Sequence, residues 1–267
     1  RQIYTENESD SIVRLIMEDV GYPLSVSLRD PDKIPDPPVA AQINTMMADI
    51  RSGQPIQYIL GHTYFCDLKI EVDKRVLIPR PETEALVEHI RARDKSTVFR
   101  IIDLGTGSGC IALALKQYFP DAEVWGVDFS NEALSKATEN GILNKLRVNW
   151  AWMDLLNHES KKLTGTFDLV VSNPPYVLNR EAKIMERHIT GFEPSSALFV
   201  PDDDPLIYYR AIVSFCNKHL ADRGEAWVEI NEQFGKETAS LFEKEGFSEI
   251  HILTDIHDKE RYIHACR

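Results

Sequence analysis

The segment Asn173-Pro174-Pro175-Tyr176 combines groups that could hold a planar amine or amide nitrogen for reaction. The Asn173 side chain offers one acceptor oxygen and two N–H donors, whereas Pro174 can offer only its carbonyl oxygen. Two acceptors aimed at one –NH2 group would orient that nitrogen and favour the positive charge that develops on it during attack. Tyr176 offers a flat face to a planar substrate group. The segment therefore predicts group transfer to nitrogen, although the two prolines could alternatively form only a rigid turn.

A glycine-rich loop is the second feature that could do chemistry, and it follows an apolar run at 98–103. Glycines let the backbone turn sharply and approach a ligand, and the N–H groups that open the next helix can face the ligand's polar atoms. Asp128 ends the following strand, where a carboxylate can accept hydrogen bonds from both hydroxyls of a ribose. The residues of the loop are Asp103, Leu104, Gly105, Thr106, Gly107, Ser108 and Gly109.

The glycine spacing narrows the class of ligand. It reads G-x-G-x-G, which differs from the G-x-G-x-x-G typical of dinucleotide-binding folds and disfavours a nicotinamide-dependent enzyme. A purely structural turn remains an alternative for the loop taken alone. The D-x-G-x-G-x-G run, with an acid at the second strand end, resembles the first motif of S-adenosylmethionine-dependent methyltransferases. Together with Asn173, this resemblance predicts a methyltransferase that acts on a planar nitrogen.

These motifs must be positioned by regular elements, and from residue 98 onward strand and helix patterns alternate. Such alternation predicts a doubly wound α/β fold, in which ligands bind at the carboxyl ends of the strands. The predicted strands are 98–103, 122–128, 146–152, 167–172, 225–230, 250–253 and 261–266. The predicted helices are 85–91, 110–118, 131–140, 205–220 and 234–245.

The first sixty residues follow another pattern. Apolar residues at helical spacing predict two helices, which end near Gly21 and Gly53, with a loop over 29–38 between them. Residues 63–78 alternate apolar and polar side chains, which predicts a β-hairpin. We therefore expect three parts, namely a small all-helical domain over 1–61, a β-hairpin linker over 62–79 and a catalytic domain over 80–267.

Composition excludes several classes of protein. The 267 residues are 43% hydrophobic, which excludes a disordered chain, and the formal net charge of −12 argues against binding nucleic acid mainly through phosphates. No apolar run is long enough for a transmembrane helix, and no signal peptide is visible. The four cysteines form no CxxC pair and the eight histidines show no HxxxH or HExxH spacing. We therefore expect reduced thiols and no metal site.

Beyond these motifs, nearly the whole chain resembles the HemK-type (PrmC) release factor glutamine N5-methyltransferases. The Pro-Arg-Pro-Glu-Thr-Glu loop at 79–84, taken together with Asn-Pro-Pro-Tyr, is more specific to this family than either motif alone. The matching stretches are QPIQYILG at 54–61, LIPRPETE at 77–84, the glycine loop, the Asn-Pro-Pro-Tyr segment, 192–194 with 197–198, and 260–261.

The resemblance implies a seven-stranded Rossmann-like methyltransferase domain behind a helical domain that docks the substrate. It implies S-adenosylmethionine as the cofactor, S-adenosylhomocysteine as the product and no metal. The implied reaction methylates the side-chain amide nitrogen of the glutamine in the Gly-Gly-Gln motif of peptide chain release factors, in the bacterial cytoplasm. We expect a monomer that binds neither membrane nor nucleic acid directly.

By position, the resemblance also implies roles for single residues. The catalytic residues would be Asn173, Pro174 and Tyr176, and these three with Pro175 would form the glutamine pocket. The family often has an aromatic side chain at the position of Leu155, so apolar contact replaces stacking on the adenine here. The residues expected to bind the cofactor are Asp103, Gly105, Thr106, Gly107, Ser108, Gly109, Asp128, Asp154, Leu155 and Asn173.

Several alternatives stay open from the sequence. A nucleic-acid methyltransferase acting on adenine N6 or guanine N2 would use nearly the same pocket, although the −12 charge counts against it. A catalytically idle binding module would keep the fold without the reaction. Glu82, Glu84 and Glu193 either cap a helix and anchor a loop or shape the pocket mouth. The acidic run at 202–204 is either a solvated loop tip or a contact with the release factor.

Overall fold

The chain opens with a small group of helices. The structure, a computed structural model, describes residues 4–30, 33–92, 99–157, 163–185 and 187–267. The first helix begins at a capping box, in which the Thr5 hydroxyl accepts from the Glu8 N–H and the Glu8 carboxylate accepts from the Thr5 N–H. The helices are α1 (Glu6–Asp19), α2 (Leu24–Arg29), α3 (Pro37–Arg51) and α4 (Ile56–Leu60). Their shared core contains Ile12, Ile16, Met46, Ile50 and Ile56.

A hairpin of β1 (His62–Phe65) and β2 (Leu68–Glu71) follows the helices. One buried side chain, that of Asn140, ties this hairpin to the glycine loop. Its Nδ2 donates to the Glu71 carbonyl at 3.0 Å and to the Ser108 carbonyl at 2.9 Å, while its Oδ1 accepts from the Glu71 N–H at 2.7 Å. The hairpin is thereby packed against the part of the chain that contains the glycine loop.

Helices and strands alternate through the remaining chain. Within the described ranges, no helix combines the length and the apolar character needed to cross a membrane. The helices are α5 (Pro81–Arg91), α6 (Cys110–Tyr118), α7 (Asn131–Leu143), α8 (Arg187–Thr190), α9 (Ile207–His219) and α10 (Gly235–Lys244). The strands are β3 (Arg100–Leu104), β4 (Glu123–Asp128), β5 (Asn149–Trp152), β6 (Phe167–Ser172), β7 (Val177–Leu178), β8 (Phe199–Val200), β9 (Leu220–Glu229), β10 (Ser248–Thr254) and β11 (Glu260–Cys266).

Seven of these strands form one mixed sheet in the order β10-β11-β9-β6-β3-β4-β5. The five strands from β9 to β5 run parallel, and β11 pairs antiparallel with both β9 and β10. Successive residues of β3 enter opposite cores, since Ile101 packs with α5 and α6 whereas Ile102 packs with α9. This double burial explains the continuous apolar runs that marked the strands in the sequence.

The predicted α/β architecture is confirmed, while several boundaries and short elements differ. The bounds of β6 and α6 match the prediction, but Leu220 opens β9 instead of ending a helix, because an apolar residue suits either element. The predicted loop over 29–38 is wrong at its ends, where Arg29 closes α2 and Pro37 opens α3. The elements α4 and β7, which have five and two residues, were not predicted. Residue 98 lies outside the described ranges.

Candidate active site

A cavity of about 370 Å³ lies at the carboxyl ends of β3, β4 and β6. Its volume falls within the range of small-molecule sites. Because β3 pairs in parallel with both neighbours, the segments that follow the three strands meet at one edge of the sheet. The predicted site residues that line the cavity are Gly105, Gly107, Asp128, Asp154, Leu155, Asn173, Pro174 and Pro175.

The glycine loop presents Gly105 and Gly107, which have no side chains, to the cavity. Gly105 and Gly107 line the cavity with positive φ angles of 75° and 53°, a conformation that favours glycine. Gly109 has another reason to be glycine, since a Cβ there would lie 2.8 Å from the Trp150 ring. Thr106, Ser108 and Gly109 do not line the cavity, and all three are buried.

Asp103 supports the loop from below and does not line the cavity. Its carboxylate is fully buried, and Oδ2 accepts a hydrogen bond from the Thr106 hydroxyl at 2.5 Å. Burial raises the pKa of Asp103 to about 7, and the hydrogen bond from Thr106 opposes that shift. The motif's first acidic residue therefore holds the turn in shape.

The Asp128 carboxylate faces the cavity and can accept further hydrogen bonds. Its Oδ2 accepts from the Gly107 N–H and its Oδ1 from the Ser130 N–H, both at 2.9 Å, and 8% of the residue is exposed. Burial raises the pKa of Asp128, while these two backbone hydrogen bonds lower it. Each carboxylate oxygen has a second lone pair, so the group can also accept bonds from two neighbouring hydroxyls.

The far wall of the cavity is largely apolar. Leu155 lines it beside Asp154, whose Oδ1 accepts from the Leu156 N–H at 3.0 Å and so shapes the turn after β5. Phe129 and Tyr208 contribute rings that the sequence analysis missed. Phe129 follows Asp128 directly, which was a usable signal. Tyr208 lies on α9, far along the chain, and no motif marked it. These side chains suit a flat heteroaromatic group.

Asn173 belongs to a chain of hydrogen bonds that leads into the protein core. Its Nδ2 donates to the Thr83 hydroxyl at 2.8 Å, and that hydroxyl donates to Glu229 Oε2 at 2.7 Å. Thr83 and Glu229 are only 2% and 1% exposed. Burial raises the pKa of Glu229 to about 6, although the hydrogen bonds from Thr83 and Tyr176 oppose the shift. Sequence reasoning had assigned no role to Thr83 or Glu229.

Tyr176 points away from the cavity. Its hydroxyl donates to Glu229 Oε1 at 2.9 Å, and its partly buried ring packs against the core beneath the sheet. Burial, and then the nearby Glu229 charge, raise the pKa of Tyr176. The structure thus brings Asn173, Pro174 and Pro175 to the cavity and places Tyr176 behind them, as a support for Glu229.

The linker between the hairpin and α5 forms the third wall. Arg75, Val76 and Leu77 line the cavity, and the Tyr58 hydroxyl of α4 donates to the Val76 carbonyl at 2.6 Å. The Arg75 guanidinium forms an ion pair with Glu139 of α7 at 3.0 Å. The linker is therefore fastened at two adjacent residues of this wall, a feature that the hairpin pattern alone did not reveal.

The three glutamates with open roles take structural positions. Glu82 and Glu84 lie in the first turn of α5, where negative charge is favoured, and Glu84 accepts from the Cys66 N–H at 2.6 Å. Glu193 is buried and forms an ion pair with Arg80 at 2.5 Å. It also accepts a hydrogen bond from a backbone N–H of the linker. Glu84 thus holds the hairpin against α5, and Glu193 holds the linker in place.

The acidic run at 202–204 is tied down at two points. Asp202 accepts from the Arg180 N–H at 3.0 Å, and Asp204 pairs with Arg210 at 2.5 Å. Asp203 is exposed.

Across the part of the chain that the structure describes, no three His, Cys, Asp or Glu side chains are arranged to hold a metal ion.

The chain is similar in sequence to proteins of one named family. Residues 81–192 match the family model described as the methyltransferase small domain. A release factor glutamine methyltransferase of Flavobacterium psychrophilum is 38% identical, over 98% of this chain and 93% of that protein. One from Bacteroides thetaiotaomicron is 37% identical over 85% of this chain and 81% of that protein. One from Lactococcus lactis subsp. lactis is 39% identical over 80% and 78%, respectively.

Solved structures share the fold at low sequence identity. A methyltransferase from Pyrococcus furiosus superimposes with a TM-score of 0.56 at 17% identity, covering 85% of this chain and 96% of that one. A 16S rRNA N2 G1207 methyltransferase of T. thermophilus, solved in complex with AdoMet and guanosine, gives a TM-score of 0.54 at 18% identity. That match covers 77% of this chain and 49% of the T. thermophilus chain. At these identities the likeness concerns the fold alone.

Proposed function

Because the chain belongs to the release factor glutamine methyltransferase family, we propose that it methylates a glutamine side-chain amide in a peptide chain release factor. The methyl donor in this proposal is S-adenosylmethionine, and the glutamine is that of the Gly-Gly-Gln motif. The observation that carries the proposal is Asn173 beside Pro174 at the cavity, with one N–H of the Asn173 side-chain amide donated to Thr83. This leaves Oδ1 as the acceptor that Asn173 can offer to a substrate.

The cavity residues fit S-adenosylmethionine. Asp128 has free lone pairs for the ribose hydroxyls, and the turn at Gly105 and Gly107 lets backbone approach the amino acid part. Leu155 and the Phe129 ring supply apolar surface for the adenine. When bound, the cofactor supplies an electrophilic methyl group. The remaining chemistry falls to the residues of the chain.

Asn173 and Pro174 would address the weak nucleophilicity of an amide nitrogen. The nitrogen lone pair is delocalised into the carbonyl group. Directing that lone pair toward the methyl group weakens the delocalisation and therefore costs energy. Hydrogen bonds from the substrate N–H groups to Asn173 Oδ1 and the Pro174 carbonyl would fix this orientation. The same two dipoles stabilise positive charge as it develops on nitrogen, which is where preorganised groups contribute most to rate.

The walls of the cavity would exclude water from the reacting atoms. Leu77 of the linker and the rings of Pro174, Pro175 and Pro194 present apolar surface at the site. Removing water strengthens the hydrogen bonds to Asn173 and prevents loss of the methyl group to solvent. The ion pair between the buried Glu193 and the partly exposed Arg80 keeps the linker in place for this role.

The nucleic-acid alternative receives less support. The T. thermophilus rRNA methyltransferase is only 18% identical to this chain, so the similarity supports a shared fold and not a shared function. The relatives at 37–39% identity carry the release factor name. The net charge of −12 is unfavourable for a surface that must hold phosphates.

The experiment that tests the proposal is a methyl-transfer assay with cofactor labelled in the methyl group. The substrates are a purified release factor and the same factor with the Gly-Gly-Gln glutamine changed to alanine. Label on the first and not on the second is the expected result. Label on both would place the reaction at another residue. Label on neither, by protein that still binds S-adenosylhomocysteine, would overturn the proposal, and transfer to ribosomal RNA would then favour the nucleic-acid function.

A further inference from the structure

We propose that Thr83 and Glu229 are positioning residues that select one orientation of the Asn173 side-chain amide, the orientation with Oδ1 turned toward the substrate. The inference rests on the proposed function, because it concerns the acceptor that would hold the substrate amide. Neither residue lines the cavity. They act through Asn173, and their effect is argued from donor counting, burial and charge.

Donor counting sets the direction of the hydrogen-bond chain. A threonine hydroxyl has a single proton, and Thr83 gives it to Glu229 Oε2 at 2.7 Å. An ionised carboxylate can only accept, so this assignment has no alternative while Glu229 is charged. The Thr83 oxygen must then accept from Asn173, at 2.8 Å, which requires the –NH2 end of the amide at that position. The amide oxygen therefore faces the cavity.

The opposite orientation of the Asn173 amide would prevent Asn173 from accepting a hydrogen bond from the substrate amide. With Oδ1 turned to Thr83, two oxygens without a shared proton would meet at hydrogen-bond distance. The –NH2 of Asn173 would face the cavity and oppose the –NH2 of a substrate amide, a contact between donors. Nothing in the Asn-Pro-Pro-Tyr sequence distinguishes these two orientations. The choice comes from a carboxylate on β9 and a hydroxyl on α5, separated by 146 residues in the chain.

The charge of Glu229 is governed by groups on several elements. Thr83 on α5 and Tyr176 after β6 donate to it. Arg261 on β11 attracts the ionised form and Glu82 on α5 repels it. The neighbouring hydroxyls of Tyr209 and Tyr262 are also within its electrostatic reach. Arg261 pairs with Asp255 at 3.1 Å, so its effect on Glu229 acts through space.

Protonation of Glu229 would remove the constraint. A neutral carboxyl can donate its proton to Thr83, and Thr83 can then donate to Asn173 Oδ1, which permits the inactive orientation. Burial raises the pKa of Glu229 to about 6, so this change falls close to neutral pH. The folded protein should thus hold Asn173 in the active orientation above about pH 6 and release it below.

Three substitutions and one matched control separate this role from simple packing. Thr83→Val removes the hydroxyl and keeps the shape, whereas Thr83→Ser keeps the hydroxyl and removes a methyl group. Thr238→Val is the matched control, because Thr238 is fully buried and its hydroxyl has no hydrogen-bond partner in the described structure. Glu229→Gln removes the titration.

The kinetic test uses the methyl-transfer assay with release factor. Thr83→Val should lower kcat about tenfold to a hundredfold, as expected when a buried hydrogen bond that places a reacting group is lost. Affinity for S-adenosylhomocysteine should stay within about twofold, and Thr83→Ser and Thr238→Val should stay within about threefold in kcat. Wild-type kcat in Thr83→Val, or an equal loss in Thr83→Ser, would overturn the inference. Failure of the wild type and of Thr238→Val to methylate would instead count against the proposed function.

A second measurement does not depend on turnover. The side-chain amide resonances of Asn173, identified by their absence in Asn173→Ala, are followed by NMR against pH in protein loaded with S-adenosylhomocysteine. We expect a transition with a midpoint near pH 6 in the wild type and none in Glu229→Gln. The kcat of the wild type should fall through the same pH range. The role of Glu229 would be refuted if the Asn173 amide resonances of the wild type did not shift with pH. It would also be refuted if they shifted equally in Glu229→Gln.

Discussion

The role of Asp128 can be tested by a double-mutant cycle that pairs a protein variant with a cofactor variant. The perturbations are Asp128→Ala and an S-adenosylhomocysteine analogue that lacks a ribose hydroxyl. The carboxylate accepts from Gly107 and Ser130, each at 2.9 Å, and retains lone pairs for the ligand. If these lone pairs accept the ribose hydroxyl, each single change removes the same bond. The double change should then weaken binding little more than Asp128→Ala alone.

The expected size of the effect follows from the kind of bond. A hydrogen bond to a charged group contributes about 1.5–3 kcal/mol. Since about 1.4 kcal/mol corresponds to a factor of ten, Asp128→Ala should weaken binding by roughly 10-fold to 150-fold. The loss for Asp128→Ala includes a further part, because the Gly107 and Ser130 N–H groups lose their acceptor. The coupling energy of the cycle excludes that part and should be about 1.5–3 kcal/mol.

Isothermal titration calorimetry of the four combinations provides the measurement. Thr238→Val serves as the control for a buried substitution away from the cavity. Thermal unfolding of each variant without ligand verifies that the fold is intact at the temperature of titration. Additive losses, with a coupling energy near zero, would refute the contact between Asp128 and the ribose. They would leave Asp128 as a residue that only shapes the glycine loop.

Three further outcomes follow from the site and its surroundings. Asn173→Ala should raise the activation free energy of methyl transfer by about 2–4 kcal/mol, measured as a lower kcat in steady-state kinetics. Its affinity for S-adenosylhomocysteine, measured by calorimetry, should change much less. A variant that loses only affinity would contradict the assignment. Burial raises the pKa of Asp103 to about 7, so its stabilising effect is complete below about pH 4 and is lost as pH rises through 7. The Tm of Asp103→Asn should therefore rise relative to the Tm of the wild type as the pH is increased from 5 to 8. Hydrogen bonds from Arg75 and Lys136 lower the pKa of Glu139 to about 2, so its stabilising effect is present above about pH 4.5 and disappears as pH falls through 2. Urea unfolding of Glu139→Gln should accordingly show a flatter decline over that acid range than the wild type, and parallel curves would contradict the ion pair.

The extent to which the fold could be predicted depended on element length and burial. β6 and α6 were predicted to the residue, because Asn-Pro-Pro marks the end of the apolar strand and Gly109 marks the start of the apolar helix. The short α2 and α4 were not, because helices of six and five residues depend on the side chains that pack over them. The end of α9 was misplaced by one residue, where an apolar side chain suits both helix and strand.

The sequence by itself determined which groups gather at the site. Residues that follow neighbouring parallel strands must meet at one sheet edge, so the positions of Gly105, Asp128 and Asn173 followed from their places after apolar runs. Only the tertiary structure decided which way the side chains point. Tyr176 turns inward to Glu229, and Thr83 reaches Asn173 across 90 residues of chain. Hydrogen-bond direction depends on partners brought together by packing, and no local pattern in the sequence records those partners.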